Sequence, residues 1–533
     1  MFVAAGAGRL ATAQSQPVVR SGTELVRVTI LARDHAGKPV VGLKPSDFTV
    51  TEDGKLQDIA FFDASGAASP VSPPPASVVP ASAPASATAF SNLVAADRVR
   101  NVTVILLDRL NTAWADQAQA RDGIRKFLSK VRPDDRVALY ALDGTSLRVL
   151  HDFTSDTAAL LRALTGAARM TSTSTEAQAP GAPAAPAVNV SGSDLSVYGS
   201  AFGNDQYYQH FVGEAAYTTI TALQTIGQHL SGVPGRKSLV WISSGFPVGG
   251  QNSPLASRSG RNDTTEIQRA TRALNTAGIS VYPIDARGLI GAFSDPGTAT
   301  RAPTFTTLAT FHPNTVVMHS IADDTGGRVF ANTNDISGAI RSAIDDADAY
   351  YVVGYYPPAA PDDGRYRQID VKTRTAGVDL RYRHGYFAAA ADLAGGDRKS
   401  ALERAIRDVL DSTGIPVTVN VVPDSQNPDV ELSIAADGHA IALHSTQGAW
   451  IGSIDLAIAQ VHEDGSLHLD TDTTIALKLT DAQHDALLEN GLTLTRHITV
   501  APNTARVAVV LRDRSSGTLG SVFVPAARLR NAR

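Results

Sequence analysis

"NVTVILLDRLNT", residues 101–112, decides how the middle of the chain is read. Four apolar residues, Val104 to Leu107, run straight into Asp108, and the chain then turns polar at Asn111 and Thr112. An apolar run without alternation predicts a parallel strand buried on both faces. Downstream, Ile124, Phe127, Leu128 and Val131 recur at i, i+3, i+4 and i+7, which predicts a helix with one apolar stripe between Asp116 and Val131. "RVALYAL" is the next strand, "DTAALLRAL" and "AYTTITALQTIGQHL" are helical, and "KSLVWISS" is a strand again. "IQRATRALNTAG" with "ISVYPIDARG", and "ISGAIRSAIDDA" with "YYVVGYY", repeat the helix–strand unit. Such alternation predicts an α/β domain, an open and mostly parallel sheet with helices on both faces.

Outward from this core the pattern changes. Residues 24–63 alternate with period two around "HAGKP" and "EDGK", a small N-terminal β unit. Residues 64–98 are rich in Ala, Ser and Pro and read as a linker, and 171–210 as a mobile insertion within an α/β domain spanning 99–357. A polar loop follows at 248–263. Beyond it we expect a β-hairpin at 365–388, a linking helix at 398–413, and a β-sandwich at 415–526 built from at least six alternating runs.

The composition bounds function. In 533 residues, 47 Lys and Arg stand against 52 Asp and Glu with no basic face, which argues against nucleic acid as a partner. The absence of cysteine excludes disulfides, thiol nucleophiles and iron–sulfur clusters. The small, apolar stretch 1–23 reaches Ala11-Thr12-Ala13, an export-signal pattern, so the expected location is periplasm, cell surface or medium. No other run reaches the ~18 apolar residues of a transmembrane helix.

"LLDRLNT", "RPDDRVALYAL", "PGRKSLVWISSGFP", "ALNTAGISVYPIDARGL", "ADDTGGRVF" and "YYVVGYYP" follow one another in this order. Together they resemble a von Willebrand factor A-like domain, and more closely the VWFA-related family described from acidobacteria. That family carries a preceding β unit similar to the stretch here that ends "VTEDGKLQDIAFF" at Phe62. The resemblance covers residues 24–388 and implies a doubly wound fold with ligands at the carboxyl ends of the strands. It also implies a metal-ion-dependent adhesion site, where D-x-S-x-S, a threonine and a second aspartate hold Mg²⁺ and an acidic group of the partner completes the shell.

On that resemblance Asp108 matches the first aspartate and Thr112 the last hydroxyl, while Leu110 takes the middle serine position. Thr219, or Thr218, matches the threonine, and Ser244 stands where the second aspartate would be. The implied ligands are therefore Asp108, Thr112, Thr219 and Ser244. With one carboxylate among them, Mg²⁺ would be held weakly, on the order of millimolar. The other reading of Asp108 is a cap on the backbone amides of residues 110 to 112. Asn111, Asp285 and Arg287 form the expected binding rim, although Asp285 and Arg287 also read as a pair ordering their own loop.

Other polar clusters read as ordinary surface. Asp323 and Asp324 before two glycines suggest a helix end, and His462, Glu463, Asp464, His468 and Asp470 a polar turn. Motifs for serine hydrolases, zinc proteases and phosphate loops are missing from the sequence. The leading expectation is a non-enzymatic binding or adhesion protein with a protein partner. The alternatives are a hydrolase using Asp108, Ser244 and a histidine such as His319, or a purely structural envelope protein.

Overall fold

A computed structural model describes residues 25–65, 89–93, 101–144, 146–176, 205–246, 263–289, 315–357, 365–387, 398–423, 429–446 and 448–531. The export-signal reading at 1–23 lies outside the described residues, as do most of the 64–98 linker, the centre of the 171–210 insertion and all of the 248–263 loop but Asp263.

The central run forms the strand Asn101–Asp108, in the middle of a five-stranded sheet. Across the sheet the order is Ile279–Asp285, Arg236–Ser243, Asn101–Asp108, Arg136–Asp143 and Ser146–Thr154. The first four are parallel, and the last, which the sequence reading missed, is antiparallel to its neighbour. Val102, Val104 and Leu106 face one layer, with helices Asp205–Leu230, Asp263–Thr276 and Val316–Thr325. Ile105 and Leu107 face the other, with helices Trp114–Leu128, Thr157–Glu176 and Ile336–Asp345. Burial on both faces is why this strand shows no alternation. Removing one such side chain, as in Leu106→Ala, costs about 2–5 kcal/mol.

Several boundaries differ from expectation. Helices Thr157–Glu176 and Asp205–Leu230 extend into both ends of the expected insertion. "YYVVGYY" is not part of the parallel sheet: Tyr350–Tyr355 lies antiparallel between Val26–Asp34 and Phe61–Ser65. Its alternate residues Tyr351, Val353 and Tyr355 are buried with Val28, Ile30 and Phe48, so it completes the N-terminal β unit. The expected hairpin at 365–388 divides as well. Tyr366–Thr373 pairs with Phe48–Glu52, whereas Val378–Arg381 pairs with Val26–Asp34. Residues 25–65 and 350–387 thus make two four-stranded sheets around one core.

This β module is fastened to the α/β domain at Asp346, just beyond helix Ile336–Asp345. Its fully buried carboxylate meets Arg33, Arg381 at 2.9 Å and Arg328 at 3.9 Å.

The linking helix ends at Arg407 rather than 413. Residues after it turn back onto helix Asp205–Leu230, where Thr225 donates to Asp408 at 3.0 Å and the Thr413 amide to the Gln228 carbonyl at 3.1 Å. Beyond this joint two sheets enclose an aliphatic core. The first contains Leu492–Thr499, Asp429–Ala436, Val417–Pro423 and Ala89–Ser91. Ala89–Ser91 comes from the stretch read as linker. Asn92 anchors it, donating to the carbonyls of Ser412 and Ile415 and accepting from the Val417 amide. The second sheet is built on Ala449–His462, flanked by Leu467–Leu479 and Thr504–Asp513.

Candidate functional site

Chain direction parts the strand exits at the carboxyl edge of the parallel sheet. From Asn101–Asp108 the chain passes to helix Trp114–Leu128 on one face, whereas the helix following Arg236–Ser243, Asp263–Thr276, lies on the other. These strands are neighbours, so their exits part, which is where ligands enter open α/β sheets. Asp108 and Ser243 stand at this point.

Side-chain parity then sorts the residues. Asp108 continues the face of Val104 and Leu106, and Ser243 that of Leu239 and Trp241, so all point toward helix Asp205–Leu230. The Asp108 carboxylate is fully buried and crowded with donors. Its Oδ1 accepts from the Asn111 backbone amide at 2.9 Å, and its Oδ2 from the Trp241 indole Nε1 at 3.0 Å. The Asn111 Nδ2 reaches both oxygens, at 3.1 and 2.9 Å, and also Thr219 Oγ1 at 2.8 Å. Ser243 Oγ lies 3.0 Å from Oδ2. Burial pushes the Asp108 carboxyl above its ordinary value, and the hydrogen bonds from Asn111, Trp241 and Ser243 pull it back only in part.

Ser244 and Thr112 belong to a separate group. The Ser244 amide donates to Thr112 Oγ1 at 3.2 Å, and Ser244 Oγ to Asp116 Oδ2 at 2.9 Å. Gln117 ties the same loop from below, donating to the carbonyls of Thr112 and Arg109 at 2.8 and 3.2 Å. The four implied ligands thus converge on one edge but divide into two sets, Asp108 with Thr219 through Asn111, and Thr112 with Ser244. Trp241, Ser243, Asp116 and Gln117 were not anticipated. The acid eight positions after Asp108, on the first turn of the following helix, was the one local sign of Asp116.

The arrangement does not fit a hexacoordinate hard cation. Indole and backbone N–H groups cannot turn into ligands, and they occupy the oxygens a metal would need. Among the described residues no group of three or more His, Asp, Glu or Cys side chains is placed to hold a metal ion.

At the rim, Arg287 grips Asp285 with Nε and Nη2 at 2.9 and 2.8 Å, so this pair orders its own loop. Asn111 is turned inward. Among the described residues, the large apolar side chains exposed at the rim are Trp114, 55% exposed, and Leu289, 64% exposed. Arg121 lies 5.6 Å from the Trp114 ring centroid. His319 is exposed on helix Val316–Thr325, and the Ser244 hydroxyl is directed at a carboxylate, not an imidazole.

No protein-family model matches this chain, and no curated protein does. Solved structures with partial likeness include the TFIIH p34 N-terminal domain, at 14% identity over 47% of this chain and 100% of that one, with a TM-score of 0.23. The SpRpn10 VWA domain matches at 11% identity over 47% and 98%, TM-score 0.21. The pilus adhesin SpaC from Lactobacillus rhamnosus GG matches at 10% identity over 78% and 54%, TM-score 0.25. Overlaps this loose carry no argument about function.

Proposed function

We propose that this chain is an exported, non-enzymatic binding protein of the VWFA-related type. Its doubly wound domain offers the carboxyl-edge rim to a protein partner and needs no resident cation to do so. The observation that carries the reading is the exposure of Trp114, at the start of the helix after one strand of that edge, and of Leu289, on the loop after another. Tryptophan and arginine side chains that can be buried on docking dominate binding energy at protein interfaces. Arg121 beside Trp114 adds such a pairing.

The cage around Asp108 supports the cation-free part. A carboxylate filled by protein donors holds the loop 108–112 in one shape, which presents Trp114 without help from a metal. Catalysis has less support, because a serine nucleophile needs a base in reach and the Ser244 hydroxyl faces Asp116. The test is capture from a cell-envelope extract by the immobilised full chain. The same partner should be retained in Mg²⁺ and in EDTA, and lost with Trp114→Ala. Retention only in Mg²⁺ would overturn the proposal.

A further inference from the structure

The strand Leu467–Leu479 is 13 residues long and forms an open edge of the C-terminal sandwich. It pairs with Ala449–His462 and, among the described residues, with no other strand. Its sequence, LHLDTDTTIALKL, contains no proline, one device that blunts such edges, and the run from Thr471 to Leu479 pairs without a bulge. His468, Leu469, Asp472, Thr474, Ala476 and Lys478 are exposed along it. An unpaired row of backbone amides and carbonyls of this length is a template for another strand.

We propose that this edge pairs with the same edge of a second copy of the chain, antiparallel, about a two-fold axis through Ile475. Opposed residues in a continuous sheet share a face, so the axis must pass through a residue pair and not between two. Centred on Ile475, Lys478 of each copy stands opposite Asp472 of the other, giving two complementary pairs in an isologous contact. Thr473 then meets Leu477, Thr474 meets Ala476, and Ile475 meets itself. The apolar face of Ile475 and Leu479, packed on the sandwich core, continues across the junction.

Charge selects this register. Lys478 is exposed and forms no ion pair among the described residues, whereas Asp472 bonds Arg398 and keeps 38% of its side chain in water. Centring on Ala476 or Thr473 leaves Lys478 without an acid. Centring on Thr474 would oppose Lys478 to Asp470. That carboxylate keeps only 13% of its side chain in water, and its residue is skipped in the ladder at the register shift between Ile458 and Ala459.

The chain has no cysteine, so Ile475→Cys creates a single thiol. In the proposed pairing the two Cβ atoms lie about 5 Å apart, and mild oxidation of the full chain should yield a disulfide-linked dimer. Thr471→Cys serves as the control, because its two copies would be about 26 Å apart and should stay unlinked. Lys478→Glu, which turns both attractions into repulsions, should raise the dimer dissociation constant about tenfold in sedimentation experiments. A chain that stays monomeric to about 100 µM, weaker than any useful association, overturns the proposal. So does crosslinking of the Thr471→Cys variant as fast as the Ile475→Cys variant.

Discussion

Asp108 and Asp346 both have fully buried side chains, and their surroundings are opposite. Asp108 sits at the carboxyl edge of the parallel sheet among neutral donors from Asn111, Trp241 and Ser243. Asp346 sits at the junction with the β module among the guanidiniums of Arg33, Arg381 and Arg328. Neutral donors fix a direction at every oxygen and add no charge, so Asp108 shapes a loop. Three cations reaching in from the β module and the α/β domain make Asp346 a fastening. Burial of an acid therefore does not identify a metal site; the kind of donor around it tells which task it performs.

The first way to break this comparison is to remove the cage. Asp108→Ala strands the Trp241 indole, the Asn111 amide and the Ser243 hydroxyl in a buried place. Chemical denaturation should show a loss of about 4 kcal/mol. A loss under about 1 kcal/mol would mean that water enters and replaces the carboxylate.

Asp346→Ala should cost less, about 2–3 kcal/mol, because its arginines are partly exposed and water can take over. The damage should be local. Hydrogen exchange should quicken in Val26–Asp34 and Val378–Arg381 while Asn101–Asp108 stays protected. Uniform loss of protection would show that the two units unfold as one.

Ser244→Asp sharpens the comparison by placing a second acid against Asp116, 2.9 Å from the present hydroxyl. Like charges there should destabilise by about 1 kcal/mol, and millimolar Mg²⁺ should recover the loss by bridging them. In the unmodified chain, Mg²⁺ should leave the melting temperature unchanged.

The smallest effect is a pH slope. Burial raises the Asp108 carboxyl above 3.8, so the folded state binds the proton more tightly than the unfolded chain. Its contribution is fully present below 3.8 and is lost as pH rises through the folded value. Asp408 and Asp411, pushed up to about 6 by burial at the joint with the sandwich, act in the same direction. Replacing both with Asn should flatten the fall in stability between about pH 4 and 7. An unchanged slope would place the titration elsewhere.

The sequence by itself determined the central strand, the helix–strand alternation and the position of Asp108. Burial on both faces writes a continuous apolar run, and a helix with one buried stripe writes a 3.6 period, both of them local signals. It could not say which sheet "YYVVGYY" joins, because a run of Tyr and Val reads alike in a parallel strand and in an antiparallel one. Nor did Ala89–Ser91 show itself, since the residues that make it a strand, Thr418 to Asn420, lie far along the chain. The donors around Asp108 were hidden for the same reason. Trp241 and Ser243 lie 133 and 135 positions away, and only the pairing of their strand with Asn101–Asp108 brings them to the carboxylate. Side-chain parity then turned Ser244 toward Asp116 and away from Asp108, a choice made by the pleat of the folded sheet.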